Sequence, residues 1–269
     1  MPDIKHLFFV GNKRTGTTMM VNLLNLHPNV FVSHESDIIW ILYQLARGRD
    51  PVQHSHEGWL GMSITLKECV HILQDRIGKT PATMFCQVTR YLMNHGTEIQ
   101  RRYDKLDVLW MGDKKPVQCS DPEVTPFLKE HFPDARYIHM VRHPRAYVAS
   151  CTTAAKRAIA AGDVRGLPDY WKEMPAKILE VWVEHEEWAL QMEKECKTVV
   201  RLSLEDLCYS PVSVMRDLFW FLELDMPDFV AESVAQMVHP SPNTKYDGME
   251  HDLEMPPDVV KLMEEYGYN

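Results

Sequence analysis

The 269-residue chain is short of several features, and each absence removes a class of protein. It has no run of 18 apolar residues, so no transmembrane helix is expected. It has no C-x-x-C pair. Cys69, Cys86, Cys119, Cys151, Cys196 and Cys208 are widely spaced, the pattern of reduced cytosolic thiols rather than of a disulfide framework or zinc site. An apolar run begins within about six residues of Met1, which leaves no room for a signal peptide, and a cytoplasmic location is expected. Positive charge is in deficit: 29 Lys and Arg against 38 Asp and Glu give a formal net charge of −9. That balance argues against nucleic acid and polyanionic glycans as partners, and an anionic ligand would need a local basic pocket. No internal repeat, low-complexity tract or linker interrupts the chain, so residues 1–269 read as a single domain. With 45% hydrophobic and 25% charged residues, such a chain can bury a sizeable core.

What is present is concentrated near the start. The apolar run Leu7-Phe8-Phe9-Val10 is followed by Gly11-Asn12-Lys13-Arg14-Thr15-Gly16-Thr17-Thr18. This reads as a buried strand, a glycine-bounded loop and the first turn of a helix. The glycine spacing is that of a phosphate-binding loop, G-x-x-x-x-G-K-[ST], but Thr17 stands where that motif has its lysine. Backbone N–H groups and a helix N-terminus remain available to an anion. The lysine that reaches the β- and γ-phosphates of a triphosphate is missing. Lys13 and Arg14 supply positive charge from inside the loop instead.

Strands and helices alternate along the rest of the chain. Strands are expected at 30–32, 108–111, 136–141 and 199–202. Helices are expected at 17–26, 37–46, 81–103, 170–196, 211–221, 227–238 and 256–266, with others ending near Phe132 and starting at Pro144. Thr65-Leu66-Lys67-Glu68 fits a capping box opening a helix that stops at Gly78. Residues 48–63 read as a loop carrying His54, His56 and Trp59, more simply solvated than metal-binding. The methionines and aromatics of 81–95 and 215–222 read as core. The alternation predicts an α/β fold with a parallel central sheet of about four to five strands flanked by helices. Ligands of such sheets bind beyond the carboxyl ends of the strands. Segments 11–18, 33–35, 112–116 and 142–150 occupy those ends.

The strand Arg136–Val141 is followed by Arg142, where nucleotide hydrolases place a Mg²⁺-binding aspartate. A guanidinium there suits an anion held by two parallel hydrogen bonds, not a metal. Ser150, about two turns into the next helix, could add a hydroxyl. Taken alone, Arg142 could equally pair with a carboxylate of the protein.

Together these segments resemble a family. Arg14-Thr15-Gly16-Thr17-Thr18 after a strand resembles the 5′-phosphosulfate loop of sulfotransferases. Val141-Arg142-His143-Pro144-Arg145 with Ser150 resembles their 3′-phosphate motif. Gly112-Asp113-Lys114-Lys115-Pro116 looks like the lysine-proline turn of the same family, and Val199 to Leu207 resembles its late strand, with Ser203 where a tyrosine is common. The matches span residues 7 to 245. The spacing from Arg14 to Glu35 is most similar to the tyrosylprotein and glycan branch, in which a glutamate after the second strand is the base.

The resemblance implies a P-loop-like sulfotransferase fold and the donor 3′-phosphoadenosine-5′-phosphosulfate (PAPS), released as PAP, with no metal. It implies donor contacts at Lys13, Arg14, Thr15, Gly16, Thr17, Thr18, Arg142, Ser150, Ser203, Ser241 and Lys245. It implies a hydroxyl-bearing acceptor, a small molecule or other, bound in part by a helical insertion around 48–105.

The residues carry this chemistry in their own right. Sulfuryl transfer develops charge on the leaving phosphate oxygen, which fixed donors stabilise. Arg14, Lys114, Thr17 and Thr18 are the candidates, with Lys115 the more solvated of the two lysines. Thr17 and Thr18 also suit a helix N-terminus. A hydroxyl nucleophile needs its proton removed. Glu35 is placed for that, with His34 the local rival, and a surface glutamate capping the helix from Ser36 or Asp37 the simpler alternative. Two other functions stay open: a small-molecule kinase with a degenerate phosphate loop, and a non-catalytic PAP-binding module.

Overall fold

Alternation along the first strand, β1 (Lys5–Val10), decides the layers of the molecule. Leu7 and Phe9 point to one side of the sheet and Phe8 and Val10 to the other, and all four are fully buried. A strand buried on both faces belongs at the centre of a parallel sheet. The computed structural model describes residues 4–54, 59–75, 77–98, 101–164, 167–239 and 253–268. In it β1 is the middle strand of a five-stranded parallel sheet with β2 (Val30–His34), β3 (Trp110–Lys114), β4 (Arg136–Val141) and β5 (Val199–Ser203), in the order β2-β3-β1-β4-β5.

Helices cover both faces. On the Leu7/Phe9 side lies α1 (Thr17–Leu24), which inserts Met20 and Leu24. On the Phe8/Val10 side lie α2 (Ile38–Ala46), then α3 (Trp59–Glu68), α4 (Val70–Gln74) and α5 (Pro81–His95), followed by α6 (Pro116–Ser120) and α7 (Thr125–His131). Phe8, Phe85 and Phe132 meet edge to face there, with centroids 5.2 to 5.6 Å apart. Truncating such a buried ring costs about 3–5 kcal/mol. The helices α8 (Pro144–Ala160) and α9 (Pro175–Glu195) form a third cluster around the buried Trp182. After β5 the chain returns to the Leu7/Phe9 side as α10 (Leu204–Tyr209), α11 (Pro211–Phe221) and α12 (Asp228–Met237). A last helix, α13 (Pro257–Tyr266), joins the third cluster through Val259 and Leu262.

The chain leaves β1 toward β2 and leaves β4 toward β5, in opposite directions. In open α/β sheets that reversal opens a crevice beyond the strand ends. Here it brings together the 11–18 loop and Arg142.

Several expected boundaries shift. The 48–63 loop ends earlier, because α3 already begins at Trp59. Thr65 caps nothing: it is buried inside α3, and its hydroxyl donates to the Ser36 carbonyl at 2.7 Å. The helix expected to run to Gly78 breaks at Cys69, and α5 stops at His95, where Gly96 closes it. The expected lysine-proline turn is the end of β3 running directly into α6. The long 170–196 helix is a 3₁₀ turn (Asp169–Lys172) followed by α9. Within 215–222, Met215, Phe219 and Leu222 are core, but Trp220 stands exposed. Ser241, Lys245 and His56 lie outside the described residues.

Candidate functional site

The phosphate-type loop is shaped by backbone that few residues tolerate. Gly11 (φ +91) and Gly16 (φ +89) are left-handed, and a Cβ on Gly11 would sit 2.7 Å from the His139 ring. Arg14 is also left-handed (φ 64), a strained choice for a residue with a long side chain. What holds it there is a buried anchor. The Asn12 side-chain amide donates to the Trp182 carbonyl at 3.0 Å and to Glu186 at 2.8 Å, and its oxygen accepts from the Tyr147 hydroxyl at 3.2 Å. Thr15 closes the loop by donating to the Asn12 carbonyl at 3.0 Å. Gly16 is the N-cap of α1, and among the described residues no side chain caps that helix. Its first-turn N–H groups therefore remain for an anion, beside the Thr17 and Thr18 hydroxyls.

Two arginines lock the loop to the β4 end. The Arg14 Nε donates to Ser150 Oγ at 3.2 Å, and the Arg142 Nη1 donates to the Arg14 carbonyl at 3.2 Å. Arg142 is only 4% exposed. Loop, Arg142 and Ser150 thus form one cationic wall, with the Arg14 guanidinium 5.8 Å over the Trp171 ring.

The opposite wall comes from the ends of β2 and β3. Lys114 is buried, and its ammonium donates to the Glu35 carboxylate and, at 3.4 Å, reaches Thr18 Oγ1. Glu35 is left-handed (φ 45), its N–H donates to the Lys114 carbonyl at 3.3 Å, and its side chain is 51% exposed. Desolvation works to raise its pKa, but Lys114, Lys115 and Lys13 overcome that and hold it at about 2. His34 beside it is pushed down to about 4, first by burial and then by Lys114, so its ring is neutral at ordinary pH.

Lys115, expected in solvent, is 1% exposed and pairs with Asp37 at 3.1 Å. Asp37 stands at the N-cap position of α2 but caps nothing. Its carboxylate accepts from Gln118 at 2.7 Å and from the Met62 N–H at 2.9 Å. Asp113, fully buried, accepts from Ser33 at 2.6 Å and from the Ser36 hydroxyl at 2.9 Å. Burial, the largest influence, raises the pKa of both acids, that of Asp37 to about 6. Helix α3 lies directly on the Glu35 turn: a Cβ on Gly61 would come within 1.7 Å of the Glu35 carbonyl oxygen. Ser203 ends β5 as the N-cap of α10, accepting from the Asp206 N–H at 2.9 Å.

The profile of the sulfotransferase family matches residues 6–228. The chain belongs to the sulfotransferase family. Over 228 residues it is 26% identical to protein-tyrosine sulfotransferase A of Caenorhabditis elegans, a match covering 83% of this chain and 51% of that protein. The chain thus spans about half the length of this curated relative. Among solved structures it resembles the sulfotransferase domain of the Synechococcus PCC 7002 olefin synthase. That likeness has a TM-score of 0.64 at 19% identity, covering 100% of this chain and 97% of the other. It also resembles the sulfotransferase domain of the curacin biosynthetic pathway, with a TM-score of 0.63 at 15% identity and coverage of 100% and 99%. These likenesses show the shared fold.

The crevice sets two unlike walls against each other. One wall offers N–H groups and guanidinium groups to anionic oxygen, and the other offers an ionised carboxylate at the rim. Four residues that hold these parts were not singled out from sequence: Asn12, Asp37, Asp113 and Glu186. Asn12 carried a local signal, since a buried amide can anchor a loop. The three acids carried none, because nothing in their neighbouring residues marks them as buried. Among the described residues no helix is long and apolar enough to cross a membrane.

Proposed function

We propose that this sulfotransferase uses PAPS as its donor and sulfates an acceptor hydroxyl in a single in-line displacement, with Glu35 as the base. The observation that carries the reading is the ion pair of Glu35 with a buried Lys114, whose ammonium also reaches Thr18 of the phosphate-type loop. Base and anion cradle are joined through one cation.

The cradle fits an adenosine bisphosphate in three respects. Helix α1 is uncapped, Gly16 presents backbone without a Cβ, and Arg14, Arg142 and Ser150 are mutually fixed. Arg142 and Ser150 would hold the 3′-phosphate. Residues 13–18 would hold the 5′ end. PAPS supplies an activated sulfuryl group and leaves as PAP. Glu35 takes the acceptor proton as the new oxygen–sulfur bond forms. Lys114, Arg14 and the loop N–H groups stabilise charge on the departing phosphate oxygen. A carboxylate held near pKa 2 is a weak base. As Lys114 turns from Glu35 toward that oxygen, the carboxylate loses its main counterion and its basicity rises.

Helix α3, within the 48–105 segment, forms the acceptor side. The C. elegans relative is named for protein tyrosine, so a tyrosine phenol is the first acceptor to try. The test is a thermal-shift screen with PAP, ADP and ATP, followed by sulfate transfer to phenols. PAP alone should raise the melting temperature. A shift with ATP alone would favour a kinase, and PAP binding without transfer to any hydroxyl would favour a non-catalytic module.

A further inference from the structure

The match to the sulfotransferase profile ends at residue 228, yet the structure carries a helix beyond it, α13, docked behind the crevice. Two tyrosines at its end, Tyr266 and Tyr268, each reach a carboxylate. The Tyr266 hydroxyl donates to Glu186 at 2.7 Å, and the Tyr268 hydroxyl donates to Glu205 at 2.8 Å. Each carboxylate in turn grips a different wall element. Glu186, fully buried, accepts from the Asn12 amide at 2.8 Å and so holds the phosphate-type loop. Glu205 accepts from the His143 N–H at 3.1 Å and so holds the residue next to Arg142. Upstream on the same segment, the Leu253 carbonyl accepts from Arg145, in the first turn of α8, at 2.5 Å.

We propose that residues 253–268 are a clamp on the donor site, in which Tyr266 positions the 11–18 loop through Glu186 and Tyr268 positions Arg142 through Glu205. Both tyrosines are positioning residues. The inference rests on the PAPS reading for its ligand, though not for its geometry.

The two arms are separable because they serve different ends of the nucleotide. Burial, and then the neighbouring carboxylates, raise both phenol pKa values, so both hydroxyls remain donors at any working pH. The rings have packing roles that phenylalanine keeps: Tyr266 lies against the Arg201 guanidinium at 4.7 Å and Tyr268 against His143 at 5.3 Å. Tyr→Phe therefore deletes the hydrogen bond and little else.

The experiment measures amide hydrogen exchange in the ligand-free full chain, together with PAP and AMP affinity, for Tyr266→Phe, Tyr268→Phe and the exposed control Tyr209→Phe. Losing one hydrogen bond to a carboxylate should change each readout about 3- to 10-fold. Tyr266→Phe should speed exchange in 11–18 and weaken PAP and AMP alike. Tyr268→Phe should speed exchange in 143–147 and weaken PAP while leaving AMP within about twofold. Unchanged exchange in both segments would overturn the clamp, as would PAP and AMP responding alike to both variants. If the wild type ignores PAP while the exchange pattern appears as stated, the clamp stands and the PAPS reading falls.

Discussion

The two walls of the crevice both rest on buried charge, but they balance it differently. Behind the loop, His139 and Arg201 face the carboxylates Glu186 and Glu193, with bonds of 2.9 Å from His139 to Glu186 and 2.6 Å from His139 to Glu193, and Arg201 also pairs with Glu265 at 3.5 Å. Burial alone would discharge the histidine, but the two glutamates outweigh it and hold the His139 pKa at about 9. At the ends of β2 and β3, Lys114 and Lys115, with Lys13 nearby, face three carboxylates, Glu35, Asp37 and Asp113. There burial raises the pKa of the two deepest acids, while the lysines hold that of Glu35, at the rim, down. The network behind the loop fixes a shape. The one at Glu35 leaves a carboxylate whose strength answers to where its lysine points.

The largest expected effect tests the Glu35 wall. Glu35→Gln keeps the shape and removes the basicity, so kcat should fall about 10²–10⁴-fold while PAP affinity stays within a few-fold. If Glu35→Gln turns over normally and His34→Ala does not, the base is His34. Next comes stability. Lys115→Met leaves Asp37 and Asp113 buried without their shared cation, which should cost about 3–5 kcal/mol by chemical denaturation at pH 8. The loss should shrink toward pH 5, where the acids can take up protons; a loss that ignores pH would mean Lys115 matters only for packing.

The loop wall should answer with a ligand effect. Arg142→Ala should weaken PAP about 10- to 100-fold and leave AMP little changed, as measured by calorimetry. Equal losses for both would remove Arg142 from the 3′-phosphate site. The mildest effect is in pH. The folded-state pKa of His139 lies above its unfolded value of 6.5, so its stabilisation is complete below about pH 6.5 and fades as pH rises through about 9. Wild-type melting should fall across that window, and His139→Gln should flatten the slope.

Much of the loop wall was legible in the sequence. A glycine-bounded loop after a strand and an arginine replacing a strand-end aspartate are local signals, and the strand–helix alternation placed them together. Lys115 was misread because adjacent lysines at a strand end look alike in sequence. Both are buried; the partner that draws Lys115 inward is Asp37, which lies on another strand's loop and approaches only through β2–β3 pairing. Glu186 was hidden for a related reason: α9 is dense in Glu and Lys, so one acid turned inward is indistinguishable from a solvated face. Thr65 satisfied a helix-start pattern yet sits mid-helix, because tertiary contact with Ser36 outweighed a local preference.

The contact between Gly61 and the Glu35 carbonyl has a consequence for how such an enzyme could change its acceptor. Helix α3 touches the backbone of Glu35 without an intervening side chain. Exchanging that helix between relatives would carry the aim of Glu35 with it. A transplanted segment with any residue other than glycine at position 61 would push the turn aside, so under the proposed function acceptor range and the aim of Glu35 would be inherited together.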